Sequence, residues 1–311
     1  MIFFPNCKIN LGLYVTEKRL DGFHNIETVF YPVNWTDALE VLENKSPGAP
    51  AFELSWPNQN VEIPLENQLL YKAWKQLSVI RKIPPVSVHF LKAIPLGAGL
   101  GGGSSDAAHM IQLLDRKFNL GLTVNEKRAM ASNLGSDCAF FIDNTAQVAK
   151  GRGELLSPCK VNLSAYYVLL VYPNIHCDTA LAYKTVQPQA GRKSIQSIVE
   201  QNDLSIWKKE LVNDFEKSVF EKFPVIGNLK QQLYDMGALY ASMSGSGTGW
   251  APSRPVVFWA VTTVSAVGAY SNIGDRRQTM NTPAVTMVAA WISADTGVGP
   301  SIASGNQVWR P

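Results

Sequence analysis

Val86-Ser-Val-His-Phe90, then Pro95-Leu-Gly-Ala-Gly-Leu-Gly-Gly-Gly103, then Ser104-Ser-Asp-Ala-Ala108 is the stretch on which the fold turns. The first five residues alternate apolar and polar, as a half-buried strand does. Five glycines in the seven positions from Gly97 to Gly103 fit inside no regular element. Ser104, Ser105 and Asp106 are good helix-starting residues, and Ala107, Ala108, Ile111 and Leu114 then mark one apolar helical face. The order is strand, glycine loop, helix. Such a loop lets several backbone N–H groups converge on a phosphate with no Cβ in the way, and the helix adds the positive end of its dipole. Hydroxyls at Ser104 and Ser105 can bond phosphate oxygens or reach a magnesium ion. A flexible linker would need neither the flanking strand nor the capped helix.

Three familiar phosphate loops do not fit. No Gly-Lys-Ser/Thr follows, so this is not a Walker A loop. Gly97, Gly99 and Gly102 match G-x-G-x-x-G, but the dinucleotide version requires an acid about 20 residues on, at a strand end. Asp115 lies inside the helix instead, and residues 117–125 offer no such strand. The protein-kinase version requires Val two residues after its last glycine, where Ser104 stands.

Outward from the loop, helices are expected from Asn67 to Ile80 and from Asn125 to Leu134, and a buried strand over Tyr166–Val171. The pattern breaks at Gly151-Arg-Gly153, which suggests a domain boundary between about 150 and 160. A chain of 311 residues makes two domains the default. A net charge of +3 without Lys/Arg runs gives no case for nucleic acid or an anionic membrane. No stretch approaches the apolar length of a membrane span, and the start lacks a signal peptide's apolar core. Cys7, Cys138, Cys159 and Cys177 form no CxxC pair, so reduced thiols in a cytoplasmic protein are expected.

With its surroundings, the loop resembles motif 2 of the GHMP kinases. Pro5-Asn-Cys-Lys-Ile-Asn-Leu-Gly-Leu-Tyr14, Asp21-Gly-Phe-His24, the glycine loop and Gly135-Ser-Asp-Cys-Ala-Phe-Phe141 carry the likeness. Tyr172-Pro-Asn-Ile175, Thr179-Ala-Leu-Ala-Tyr183 and Met243-Ser-Gly-Ser-Gly-Thr-Gly249 continue it in order, so residues 1 to about 249 are covered. Within the superfamily the run is similar to the members that phosphorylate the 2-hydroxyl of a cytidyl-linked methylerythritol in the non-mevalonate isoprenoid route of bacteria and plastids.

The resemblance implies an α+β two-domain fold. An N-terminal ribosomal-protein-S5-like α/β domain (1–155) would precede a C-terminal ferredoxin-like domain (156–249), with ATP and substrate in the cleft between. It also implies site residues. Asp137 would be the catalytic base and Lys8 the cation that offsets developing charge. Pro95, Leu96, Gly97, Ala98, Gly99, Leu100, Gly101, Gly102 and Gly103, with Ser104, Ser105 and Asn67, would bind ATP, and Ser105 would reach magnesium. Phe23 and Tyr183 would sandwich cytosine, with His24 on the base edge and Asn10 on the acceptor sugar. Relatives often carry Tyr at the position of Phe23. The partner would be a small molecule bearing cytidine diphosphate, in a bacterial cytoplasm. His89, His109 and His176 receive no role.

The likeness stops at about Gly249. From residue 250 to 311 there is no Lys and no Glu, and four of the eight Trp fall there. A fusion, a frameshift or a chimeric assembly would produce such a tail. Val256–Val261 could serve as a displaced sheet strand, although Pro252 and Pro255 interrupt its approach. Two other readings compete: another GHMP kinase, of homoserine or mevalonate type, and a non-catalytic nucleotide-binding relic. Asp21-Gly-Phe-His24 with Tyr183 favours a base-bearing substrate, and Lys8 with Asp137 favours catalysis.

Overall fold

The structure is a computed structural model that describes residues 1–59, 62–172, 176–177, 186–189, 191–245, 254–255, 257–262 and 286–291. In chain order the elements are β1 (Ile2–Phe3), β2 (Asn6–Lys18), β3 (His24–Thr36), β4 (Ala38–Glu43), β5 (Phe52–Ser55), α1 (Leu69–Ile80), β6 (Val86–Leu91), α2 (Gly102–Phe118), α3 (Val124–Leu134) and α4 (Phe140–Asp143). They continue with β7 (Gln147–Gly151), β8 (Leu155–Pro158), β9 (Tyr167–Tyr172), β10 (His176–Cys177), α5 (Ile195–Val199), α6 (Leu204–Glu210), α7 (Glu216–Lys222) and α8 (Pro224–Asp235). The last strands are β11 (Tyr240–Ser244), β12 (Arg254–Pro255), β13 (Val257–Thr262) and β14 (Thr286–Trp291).

One compact unit comprises Met1–Cys7, Trp35–Leu96 and Gly101–Thr145. Its sheet runs β1-β4-β6-β5, antiparallel except for the parallel β5–β6 pair. The alternation of β6 turns Val86, Val88 and Phe90 inward and leaves His89 and Leu91 exposed. Those inward residues pack with Leu39 and Val41 against Leu70, Ala107, Ile111 and Leu114 of the helices. Burying each large side chain here contributes about 1.5–3 kcal/mol.

Two helix starts differ from the sequence expectation. Asn67 sits in a single 3-10 turn over Leu65–Asn67, and α1 begins at Leu69. Helix α2 begins at Gly102, capped by Gly101 in the left-handed region (φ 69°), so Ser104 and Ser105 fall inside its first turn. No side chain caps it, because the N-cap residue is a glycine, and the Asp106 carboxylate further along pairs with Lys92. Helix α3 opens with a capping box: Thr123 Oγ1 accepts from Glu126 N, and Glu126 Oε2 accepts from Thr123 N.

The second unit comprises Lys8–Asn34, Gly97–Leu100 and the chain from Ala146 onward. The two units interleave along the sequence. Residues 147–158 form the β7–β8 hairpin, and the break at Gly151-Arg-Gly153 is its turn. That hairpin extends a sheet of order β2-β3-β7-β8. A second sheet has the order β11-β13-β9-β14. Its face packs Leu169, Val171, Ala241, Met243 and Ala260 against Phe215, Val219, Ile226 and Leu233 of the helical segment. The displaced strand expected at Val256–Val261 is found as β13, antiparallel between β11 and β9, with Trp259 opposite Ser242 and Leu170. Strand β14, at a place where the sequence reading has none, pairs with the far side of β9.

Candidate active site

The glycine loop is shaped by close approach. Gly99 has φ +73°, and a Cβ there would lie 2.9 Å from the Ser244 carbonyl oxygen, so the backbones of two glycine-rich segments meet without a side chain between them. Lys8 N–H donates to the Leu100 carbonyl at 2.9 Å, which ties strand β2 to the same loop. Ala98 and Leu100 are buried, anchoring the loop from beneath, while Leu96 is exposed.

Where the chain enters α2, a buried ionic cluster holds its base. Lys92 Nζ is paired with Asp37 and, at 2.7 Å, with Asp106 Oδ2. Asp37 Oδ1 also accepts from Ala93 N at 2.6 Å and Ile94 N at 2.8 Å. A Cβ on Gly102 would come within 2.9 Å of Lys92 Nζ and would press on the buried ammonium. Burial lowers the Lys92 ammonium, but Asp106 and Asp37 outweigh it and leave the group above its usual range. Burial pushes Asp106 well above the usual carboxylate range, against the pull of Lys92.

The two loop serines part company. Ser105 is fully buried, and its Oγ lies 3.2 Å from His109 Nδ1. Ser104 is half-buried, and its hydroxyl is hydrogen-bonded to Cys138, whose thiol burial pushes up to about 12. That bond joins the start of α2 to the turn that carries Asp137. Asp137 is half-buried between α3 and α4, with Ser136 Oγ donating to its Oδ1 at 3.3 Å. Asn67 is exposed.

Lys8 and Asn10 are brought together. Lys8, 3% exposed, donates from Nζ to Asn10 Oδ1 at 2.8 Å and lies 4.3 Å from the Phe30 ring centroid. Ser244, from the second glycine-rich motif, lies at the same place, and sequence reading misses Thr28 and Phe30 there. Thr28 and Phe30 share one face of β3, the one signal that could have found them. The segment Asp21-Gly-Phe-His24 forms the turn from β2 to β3. Arg19 pairs with Asp21 at 2.8 Å, and Phe23 N donates to Asp21 Oδ1 at 3.1 Å. Phe23 is 56% exposed, which sets it apart from core aromatics, and the Arg152 guanidinium lies 5.4 Å from its ring centroid. Burial and Lys18 hold the His24 imidazole below its usual range, so the neutral ring prevails at pH 7. Tyr183 lies outside the described residues. Among the described residues no group of three or more His, Cys, Asp or Glu could hold a metal ion, and no helix is long and apolar enough to cross a membrane.

Comparisons with known proteins show the family. The GHMP kinases N terminal domain family matches residues 68–148, and the GHMP kinases C terminal family matches residues 194–249. A 4-diphosphocytidyl-2-C-methyl-D-erythritol kinase of Cytophaga hutchinsonii is 49% identical over 251 residues, covering 80% of this chain and 90% of that protein. One of Parabacteroides distasonis is 46% identical over 253 residues, covering 80% and 89%. The crystal structure of a 4-(cytidine 5'-diphospho)-2C-methyl-D-erythritol kinase superposes with a TM-score of 0.72 at 24% identity, covering 94% of this chain and 99% of that one. A homoserine kinase of Cytophaga hutchinsonii shares the fold at a TM-score of 0.63 and 14% identity, covering 92% and 94%. The α+β fold is that of the GHMP kinases, whose chemistry uses ATP, and the chain belongs to the 4-diphosphocytidyl-2-C-methyl-D-erythritol kinase family.

Proposed function

We propose that this chain transfers the γ-phosphoryl group of ATP to the 2-hydroxyl of 4-diphosphocytidyl-2-C-methyl-D-erythritol, within non-mevalonate isoprenoid precursor synthesis in a bacterial cytoplasm. The observation that carries the reading is Lys8. Its backbone is bonded to the glycine loop, and its buried ammonium is held on Asn10. A buried cation tied to a phosphate loop meets what phosphoryl transfer asks for, positioning and charge stabilisation with little covalent chemistry.

Each group then has a role. Backbone N–H groups from Gly97 to Gly103 take the phosphates, Asp137 accepts the proton of the attacking hydroxyl, and Lys8 offsets the charge on the transferring group. Asn67 lines the nucleotide, and Asn10 stands next to the acceptor sugar. Phe23 and Tyr183 stack on cytosine while the neutral His24 ring bonds its edge. The residues present fit a magnesium ion carried in by the nucleotide, because this ion is held by one or two protein oxygens plus phosphates. The half-buried Ser104 hydroxyl, not Ser105, would hold it. Bound there, magnesium neutralises phosphate charge. In this reading residues 1–155 and 156–249 carry the two kinase domains, and the atypical tail from 250 lends β13 to the sheet of β11 and β9.

The test is ADP release measured with the cytidyl substrate, with homoserine and with mevalonate. The proposal requires turnover with the first alone. Comparable kcat/KM for homoserine would move the chain to another GHMP activity.

A further inference from the structure

The hydrogen bonds behind Lys8 have a fixed direction. An ammonium only donates, so the Asn10 amide must present its oxygen to Lys8 Nζ, at 2.8 Å. The amide nitrogen is thereby aimed at Thr28 Oγ1, at 3.0 Å, which must accept. The one proton of the Thr28 hydroxyl then goes to the Gly12 carbonyl, at 2.6 Å. Asn10 N–H donates in turn to Ser244 Oγ at 3.3 Å. Lys8, Asn10 and Thr28 are 3%, 2% and 0% exposed, so water does not compete for these groups.

We infer that Thr28 is a positioning residue for phosphoryl transfer, orienting the Asn10 amide so that its oxygen holds the Lys8 ammonium; the inference rests on the reading of Lys8 given above. Without the Thr28 hydroxyl, the Asn10 amide nitrogen is buried with no acceptor at that position. Rotating the amide to relieve this sets an N–H donor against the ammonium, and Lys8 loses its fixed place. The consequence falls on the chemical step, because Thr28 itself is fully buried.

Four variants test this: Thr28→Val, which keeps the shape and drops the hydroxyl, Thr28→Ser, which restores it, Lys8→Met, and the double variant Lys8→Met with Thr28→Val. Steady-state kinetics with ATP and the cytidyl substrate should show kcat of Thr28→Val lowered about 10- to 100-fold, with both KM values within about twofold. Thr28→Ser should recover to within about threefold of wild type, and the double variant should be no slower than Lys8→Met alone. Should Thr28→Val fail to fold, Thr28→Ala should give the same pattern. Three results would overturn the inference: wild-type kcat without the hydroxyl, equal impairment of the Ser variant, or a loss carried by KM. Lys8→Met with wild-type turnover would instead remove the underlying reading, and this inference with it.

Discussion

Lys92→Met removes the cation held between Asp37 and Asp106 while keeping much of the side chain's bulk. Asp37 retains two backbone donors, Ala93 N–H and Ile94 N–H. Asp106 fares worse: its Oδ2 loses the 2.7 Å contact to Lys92, and its buried Oδ1 has no hydrogen-bond partner to begin with. Leaving a buried charge uncompensated costs about 3–5 kcal/mol. At about 2–4 °C per kcal/mol for a domain of this size, the melting temperature should fall by about 6–20 °C. The deficit should depend on pH. Burial already holds Asp106 well above the usual carboxylate range, and losing Lys92 raises it further. A carboxyl raised in the folded state penalises folding increasingly as pH climbs above its unfolded value near about 4. The mutant's deficit should therefore be large at about pH 8 and shrink toward about pH 5. The wild-type ammonium, raised by its carboxylates against the opposite effect of burial, keeps its contribution throughout that window. Scanning calorimetry at both pH values is the assay. A fall smaller than about 2 °C at the higher pH, or an equal fall at both, would show that Lys92 does not compensate a buried Asp106 charge.

Asp137→Asn should leave ATP and substrate binding nearly intact and lower turnover by roughly two or more orders of magnitude; near wild-type turnover would remove Asp137 from the mechanism. Phe23→Ala and Tyr183→Ala should each weaken calorimetric binding of the cytidyl substrate by about 1–3 kcal/mol while ATP binding hardly changes. Equal affinity for substrates with and without the cytidyl group would count against that pocket. Truncation after Thr262 deletes only β14 from the described part of its sheet and should leave a folded, ATP-binding protein, whereas truncation after Gly249 also removes β13 from between β11 and β9 and should not fold. Circular dichroism and ATP titration separate the two, and a folded 249-residue protein would show β13 to be dispensable.

The local parts of this molecule are legible in the sequence because local chemistry makes them. The alternation of Val86–Phe90, the apolar face of α2, and the glycines that a close approach requires all appear at short range. The parts that escape are long-range. Lys92 meets Asp37 and Asp106 from 55 and 14 residues away, and no periodicity announces a buried ion cluster. Thr28 acts through Asn10, 18 residues before it, and looks like an ordinary β-branched strand residue. The helix start at Gly102 escapes because serine and aspartate favour caps, and here the N-cap residue is a glycine. The turn at Gly151-Arg-Gly153 has a boundary's composition, yet strand pairing makes it a hairpin. In the tail, the apolar run at Val257–Thr262 is readable as a strand, while Thr286–Trp291 gives no signal that distinguishes it from its neighbours.

The acceptor and the position of transfer define the reaction. Phosphorus NMR of the purified chain with ATP and 4-diphosphocytidyl-2-C-methyl-D-erythritol measures both in one tube. A new phosphomonoester resonance, coupled to the methyl-bearing carbon of the erythritol, should grow in step with ADP and be absent with Asp137→Asn. ADP without that monoester, or a monoester on another hydroxyl, would contradict that reaction.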